Sequence, residues 1–207
     1  MRINWIGHSC FAVESGGYTV ILDPYQAGSV PGIAPVKACA HKVLCSHGHF
    51  DHGAAEEVTL LPERECPFTV RTLCSFHDEA QGSKRGKNLI HLLTAEGMTL
   101  VHLGDLGHMP EEETLAEMKG ADVLLIPVGG FYTIDGDTAA LLTQQVQPRV
   151  VIPMHYRSEH FGFEVLTGAD VFLQHMDNVT APGTCMEVTK DTPACTAHLT
   201  PERMEQA

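Results

Sequence analysis

The sequence predicts an α+β protein in which two β-sheets pack together with helices on the outside. Three observations predict it. In the N-terminal half, short runs of β-branched and aromatic residues are split by glycine-containing turns. From Pro110 onward, uninterrupted apolar runs alternate with helical patterns. Finally, 207 residues of which 43% are apolar suffice for one sizeable core, so a single domain over residues 1–207 is expected.

Asn4 to Ile6, Ser9 to Glu14 and Tyr18 to Leu22 are rich in strand-forming residues and separated by Gly7-His8 and Ser15-Gly16-Gly17, which predicts a β-meander. Val43 to Cys45 is a further short strand, and Asp51-His52-Gly53 then opens an Ala- and Glu-containing stretch expected to start a helix. Phe68 to Leu73, Leu89 to Leu93 and Met98 to Leu103 predict a second meander, with Gly97 in its last turn. Glu111 to Lys119 has acidic residues first and lysine last, with Leu115 and Met118 on one face, as a helix prefers. Val123 to Val128 and Val150 to Met154 read as buried strands flanking a helix over Thr138 to Val146. The polar tail after Ala181 is expected to add one edge strand around Cys195 to Leu199.

Thirteen basic residues against 26 acidic ones leave a formal charge of −13, which opposes attraction to nucleic acid or to an anionic membrane surface. Neither is expected as a partner. No apolar run approaches the roughly 18 residues of a membrane span, and Met1-Arg2-Ile3-Asn4-Trp5 leads into an alternating pattern rather than a signal segment, so a cytoplasmic location is expected. Seven cysteines, odd in number and without a C-x-x-C pair, speak against a disulfide framework or a zinc knuckle. Cys45 is near enough to the histidines described next to support them.

Ser46-His47-Gly48-His49-Phe50-Asp51-His52 sets four candidate metal ligands within six positions, directly after an apolar strand. Divalent ions of the zinc type need imidazole nitrogens and carboxylate oxygens converging from a rigid element, and a loop leaving a strand end supplies them. This His-x-His-x-Asp-His loop resembles the signature of the metallo-β-lactamase superfamily. Gly7-His8-Ser9-Cys10-Phe11 and Ile21-Leu22-Asp23-Pro24 are similar to the opening of its small stand-alone hydrolases, the ascorbate-6-phosphate lactonase-like branch. Phe76-His77-Asp78, Gly82 to Asn88, His102 to Gly107, Ile126 to Gly130 and Ile152-Pro153-Met154-His155-Tyr156 resemble its later motifs in the same order.

The resemblance implies a four-layer αββα sandwich carrying two divalent ions, zinc first, with manganese or iron as alternatives. It further implies one ion held by His47, His49 and His77, a second by Asp51, His52 and His155, and Asp105 bridging both. His91 and His102 rival His77, but both sit inside apolar strand patterns, where a lone histidine is more often a hydrogen-bonded core residue. The implied activity is hydrolysis of an ester, lactone, amide or phosphodiester of a small molecule by a hydroxide shared between the ions. Asp51 would orient that hydroxide and take its proton, and His8 either protonates the leaving group or fixes a turn.

Arg85 and Asn88 are candidates to grip a substrate carboxylate or phosphate. Tyr132, with Thr133, Asp135 and Asp137, follows a glycine pair at a strand end, where ligands commonly bind; Asp137 is expected to cap the next helix. His108 has a turn role or a place near the ions, while His41, His160, His175 and His198 have no evident partner. The rivals are a nucleic-acid phosphodiesterase, a di-iron redox protein and a non-catalytic metal-binding protein. The oligomeric state is open and admits a homo-oligomer.

Overall fold

The computed structural model describes residues 1–204. Its first sheet begins with the predicted meander, β1 (Arg2–Gly7), β2 (Cys10–Ser15) and β3 (Tyr18–Leu22), in antiparallel pairing. The strand at Val43 is β5 (Lys42–Leu44), and it runs parallel to β3. A small parallel pair, β4 (Ala38–Ala40) with β6 (Val58–Leu60), stands apart from both large sheets.

The second sheet has β7 (Thr69–Phe76), β8 (Lys87–Ala95) and β9 (Met98–His102) as the second meander. Helix α1 (Glu112–Met118) then crosses to β10 (Val123–Pro127), and α2 (Gly136–Val146) to β11 (Val150–Met154), giving a parallel run β9, β10, β11. Every residue of β10 and β11 is buried, as expected of parallel strands covered on both faces. Beyond a short α3 (Asp170–Leu173), the chain adds β12 (Val179–Thr180), β13 (Cys185–Glu187) and β14 (Cys195–Ala197). The sheet orders are β13-β1-β2-β3-β5 and β12-β14-β11-β10-β9-β8-β7.

One contiguous apolar core includes residues from both sheets. Trp5, fully buried, stacks on Phe11 at 6.1 Å and meets Tyr156 and Phe161 at 5.5 and 5.9 Å. His102 ties the sheets: one ring nitrogen, Nε2, donates to the Ser9 carbonyl while the other accepts from Gly104 N–H. The architecture is therefore the α+β sandwich that the sequence predicts.

Three local expectations are corrected. The stretch after Gly53 forms only a 3₁₀ turn, Ala55–Glu57, because no side chain caps it and β-branched Val58 and Thr59 draw the chain into β6. Strand β14 is not an edge strand: it lies between β11 and β12. Helix α2 is capped by Asp135, whose carboxylate accepts from Thr138 N–H at 2.8 Å; Asp137 faces outward and pairs with His175 at 2.7 Å. Among the described residues no helix is long and apolar enough to cross a membrane.

The pairing directions give the site its location. Strands β1, β3 and β5 are mutually parallel, as are β7, β9 and β11, so each group ends its strands at one edge. Directly past those ends come His8, Asp23, the Ser46–His52 loop, His77, Asp105 and His155.

Candidate metal centre

Two donor clusters form where the strand ends meet. In one, ring nitrogens of His47, His49 and His77 lie within 4.8 Å of one another; in the other, ring nitrogens of His8, His52 and His155 and a carboxylate oxygen of Asp51 do the same. Asp105 stands between them. Its Oδ2 is 3.0 Å from His77 Nε2, 3.3 Å from His155 Nε2 and 4.0 Å from His47 Nε2, and its Oδ1 is 3.1 Å from His52 Nε2. His47, His49, Asp51, His52, His77, Asp105 and His155 are therefore gathered in one place, with Asp105 between the two clusters.

The donors are close without being satisfied. The Nε2 atoms of His47, His52 and His155, and Oδ1 of Asp105, are buried and have no properly oriented hydrogen-bond partner. Buried polar atoms are nearly always paired, so lone pairs converging on shared points in this way suit metal coordination. Charge supports the same conclusion: Asp23, Asp51 and Asp105 are buried or nearly so, and their ion-pair partners among the described residues are histidines only, never lysine or arginine. Divalent cations would supply the missing positive charge.

The electrostatics follow from this packing. Burial works against ionising Asp105, yet His155 and His52 hold its carboxyl well below the usual carboxylate range. Burial likewise opposes charge on His52, but Asp105 and Asp23 push its pKa well above the usual histidine value. His47 is pushed down to about 3 by burial and by the neighbouring His52. His8 is pushed down to about 4 by burial and by His155.

Behind the donors lies Asp23, which carried no role in the sequence reading. Its Oδ2 is 2.8 Å from His52 Nδ1 and accepts from Ser46 Oγ at 2.5 Å, and its Oδ1 accepts from Ser46 N–H at 2.6 Å. Ser46 Oγ in turn is 2.9 Å from His47 Nδ1. Asp23 thus orients two adjacent ligands through their far ring nitrogens, as carboxylates behind metal-bound histidines do. The signal for it was Asp23 itself, an acidic residue closing the apolar run of β3 and placed at a left-handed φ of 43°.

Asn88 is corrected. It is fully buried in β8, its amide donates to Ser75 Oγ and to the Leu103 carbonyl, and its Oδ1 accepts from Asp105 N–H at 2.9 Å. It positions Asp105 and has no path to a substrate. His8 is corrected as a leaving-group acid, since it is 1% exposed and does not line the cavity above the donors. His91 and His102 prove to be satisfied core residues: His91 bridges Thr72 and the Cys45 carbonyl at 3.1 Å each. His108 accepts from Phe76 N–H at 3.3 Å, a turn role, and His198 pairs with Tyr156 at 2.9 Å.

The cavity measures about 290 Å³ and is lined by His49, Phe50, Asp51, His77, Arg85, Asp105, Tyr132 and Phe163. The loop carrying Arg85 is anchored by Asp78, whose buried carboxylate accepts from the N–H groups of Ala80, Gly82, Lys84 and Arg85 at 2.8 to 3.1 Å. Arg85 then lies 5.6 Å from the Tyr132 ring and 5.9 Å from that of Phe131, within cation–π range. The Tyr132 carbonyl accepts from His77 Nδ1 at 3.1 Å, which joins this wall of the cavity to a ligand. Phe50 and Phe163 had no signal in the sequence beyond their proximity to other candidates.

Known proteins agree with this architecture. The family model described as a beta-lactamase superfamily domain matches residues 2–155. A metal-dependent hydrolase of Carboxydothermus hydrogenoformans is 30% identical over 193 residues, covering 76% of this chain and 85% of that protein. Another of the same description, from Pyrobaculum arsenaticum, is 28% identical over 195 residues, covering 76% and 85%. Among solved structures, a candidate Zn-dependent hydrolase of the metallo-beta-lactamase superfamily from Thermotoga maritima superposes with a TM-score of 0.76 at 29% identity, covering 96% of this chain and 97% of the other. With its donor clusters at the strand ends of a two-sheet sandwich, the chain belongs to the metal-dependent hydrolases of the β-lactamase superfamily.

Proposed function

We propose that the chain hydrolyses an ester, lactone, amide or phosphodiester bond of a small anionic molecule, using two divalent cations. The observation that carries this is the pair of donor clusters joined by Asp105 and facing one cavity of about 290 Å³. His47, His49 and His77 would hold one ion, Asp51, His52 and His155 the other, with Asp105 between. Such ions, when bound, supply Lewis acidity and lower the pKa of water at the site.

The residues of the chain do the rest. Asp51 lines the cavity and is held well below the usual carboxylate range: burial opposes this, but His8 and His52 outweigh it. It therefore stays ionised and acts by accepting a hydrogen bond that orients the attacking water. Arg85 is the only lysine or arginine lining this cavity, and among the described residues it has no acidic partner, which suits a substrate carboxylate or phosphate. Phe50, Tyr132 and Phe163 offer apolar walls to the remainder of the molecule. At roughly 30 Å³ per water-sized group, the cavity takes a small molecule rather than a polymer, in keeping with the −13 charge. All seven thiols are free, which fits a reducing, cytoplasmic setting.

The test is metal content by elemental analysis of untagged protein, with turnover of a phosphodiester and a panel of lactones measured with and without chelator. About two equivalents of metal and chelator-sensitive turnover are expected. Absence of bound metal after reconstitution, or chelator-insensitive turnover, overturns the proposal. Arg85→Ala is expected to raise KM for anionic substrates at least tenfold, about 1.4 kcal/mol, while leaving neutral ones nearly unchanged.

A further inference from the structure

The second donor cluster contains one more residue than a His-Asp-His set with a bridging carboxylate requires. His8 Nε2 is 3.4 Å from Asp51 Oδ2, and the His8 ring centroid is 4.1 Å from that of His155 and 5.2 Å from that of His52. Neither His8 ring nitrogen has a hydrogen-bond partner, although both are buried. The core histidines of this molecule behave differently: His91 and His102 each use both ring nitrogens in hydrogen bonds. A histidine buried for packing alone would be expected to do likewise.

The backbone holds His8 in this unusual place. His8 and His155 both adopt left-handed conformations, at φ 54° and 52°, which are uncommon for residues with a side chain. The His8 carbonyl accepts from Trp5 Nε1 at 2.9 Å and from His155 N–H at 3.3 Å, so the two strained residues are tied to each other and to the core. The strain has the effect of turning both imidazoles into the same cluster, and strain of this kind gathers at functional sites.

We infer that His8 is a further metal ligand, making the second site a five-donor set of His8, Asp51, His52, His155 and Asp105, which selects an ion of higher coordination number than the first site does. The first site, with His47, His49, His77 and Asp105, offers the four donors that zinc favours in tetrahedral sites. Five nitrogen and oxygen donors, all buried except Asp51, suit manganese or iron instead. The protein then carries two different ions, an outer one beside the exposed His49 and an inner one held by the more buried set, whose Asp51 and Asp105 still line the cavity. This rests on the two-cation arrangement proposed above.

The test uses the whole protein, stripped of metal and titrated with Zn²⁺ and Mn²⁺, with free Mn²⁺ followed by its six-line EPR signal. After one equivalent of Zn²⁺, one equivalent of Mn²⁺ is expected to bind tightly. His8→Asn keeps a residue that tolerates left-handed backbone but is too short to serve as the ligand; it is expected to weaken the Mn²⁺ equivalent by at least tenfold to a hundredfold without changing the Zn²⁺ equivalent. Unchanged Mn²⁺ affinity in this variant overturns the assignment of His8 alone. Pulsed EPR of the unmutated Mn²⁺-loaded protein counts its imidazole ligands independently of whether the variant folds: three support the assignment and two overturn it. Failure to bind any divalent ion overturns both this inference and the two-cation arrangement.

Discussion

Asp23 and Asn88 show how much of this site lies behind its ligands. Asp23 is held at about 2: burial opposes this, but nearby His102, the hydrogen bond from His52 and its other partners more than compensate. Asp23→Asn retains the shape but removes the charge that orients His52, so metal affinity is expected to fall tenfold to a hundredfold, checked by competition with a chromophoric chelator. Asn88→Ala leaves Asp105 N–H and the Leu103 carbonyl without their buried partner. Such orphaned groups cost about 1 to 3 kcal/mol each, so a fall in urea midpoint is expected even in metal-free protein. A substrate-binding role for Asn88 would instead predict normal stability with altered KM.

At the scale of elements, what matters is how strands and helices begin and end. Asp135, not Asp137, closes the start of α2. Asp135→Ala is accordingly expected to destabilise the fold by about 1 kcal/mol, and Asp137→Ala by much less, a comparison that thermal unfolding of the two variants settles. Gly129 is constrained differently: a Cβ there would collide with the His155 carbonyl. Gly129→Ala must therefore displace the β11 end that carries His155, and it is expected to reduce both stability and occupancy of the inner cluster. The 3₁₀ turn where a helix was expected also belongs to this scale. Its Ala and Glu content favours a helix, but pairing of β6 with β4 overrides a weak local propensity.

Over the whole molecule, pH and metal act on the same fold through different groups. Burial lowers the pKa of His102 below its ordinary value of 6.5, and His198 is lowered for the same reason. Each is therefore neutral in the fold and binds fewer protons there than in the unfolded chain. The stability they contribute is fully present above about pH 6.5 and is lost as pH falls from there toward their lower folded values. For His102 the cause is visible, since protonation would break the bond it accepts from Gly104. With chelator present throughout, so that metal release plays no part, Tm is expected to fall as pH is lowered through this window, and less steeply in His198→Gln. At constant pH, saturating metal is expected to raise Tm by about 5 to 10 °C over the chelated protein, given about 2.7 kcal/mol at a hundredfold excess over Kd. No shift would mean that the clusters bind metal weakly or not at all.

The sequence alone determined the two meanders, the alternation of strand and helix after Pro110, and the four candidate ligands His47, His49, Asp51 and His52, because periodicity and the His-x-His-x-Asp-His loop are local features, whereas His77, Asp105 and His155 came from the resemblance. His77 could be preferred over His91 and His102 on the same local ground: it ends a strand, whereas they lie within strands. Which strand ends would meet was not local information. Only the tertiary structure brought His8 beside His155 and placed Asp23 behind His52, and only it turned Asn88 from a substrate contact into a buried support for Asp105. These are contacts between residues far apart in the chain, and they arise because the pairing of parallel strands in two sheets carries their ends to one edge. A histidine at such an end becomes a donor or a turn residue according to what the opposite sheet presents to it.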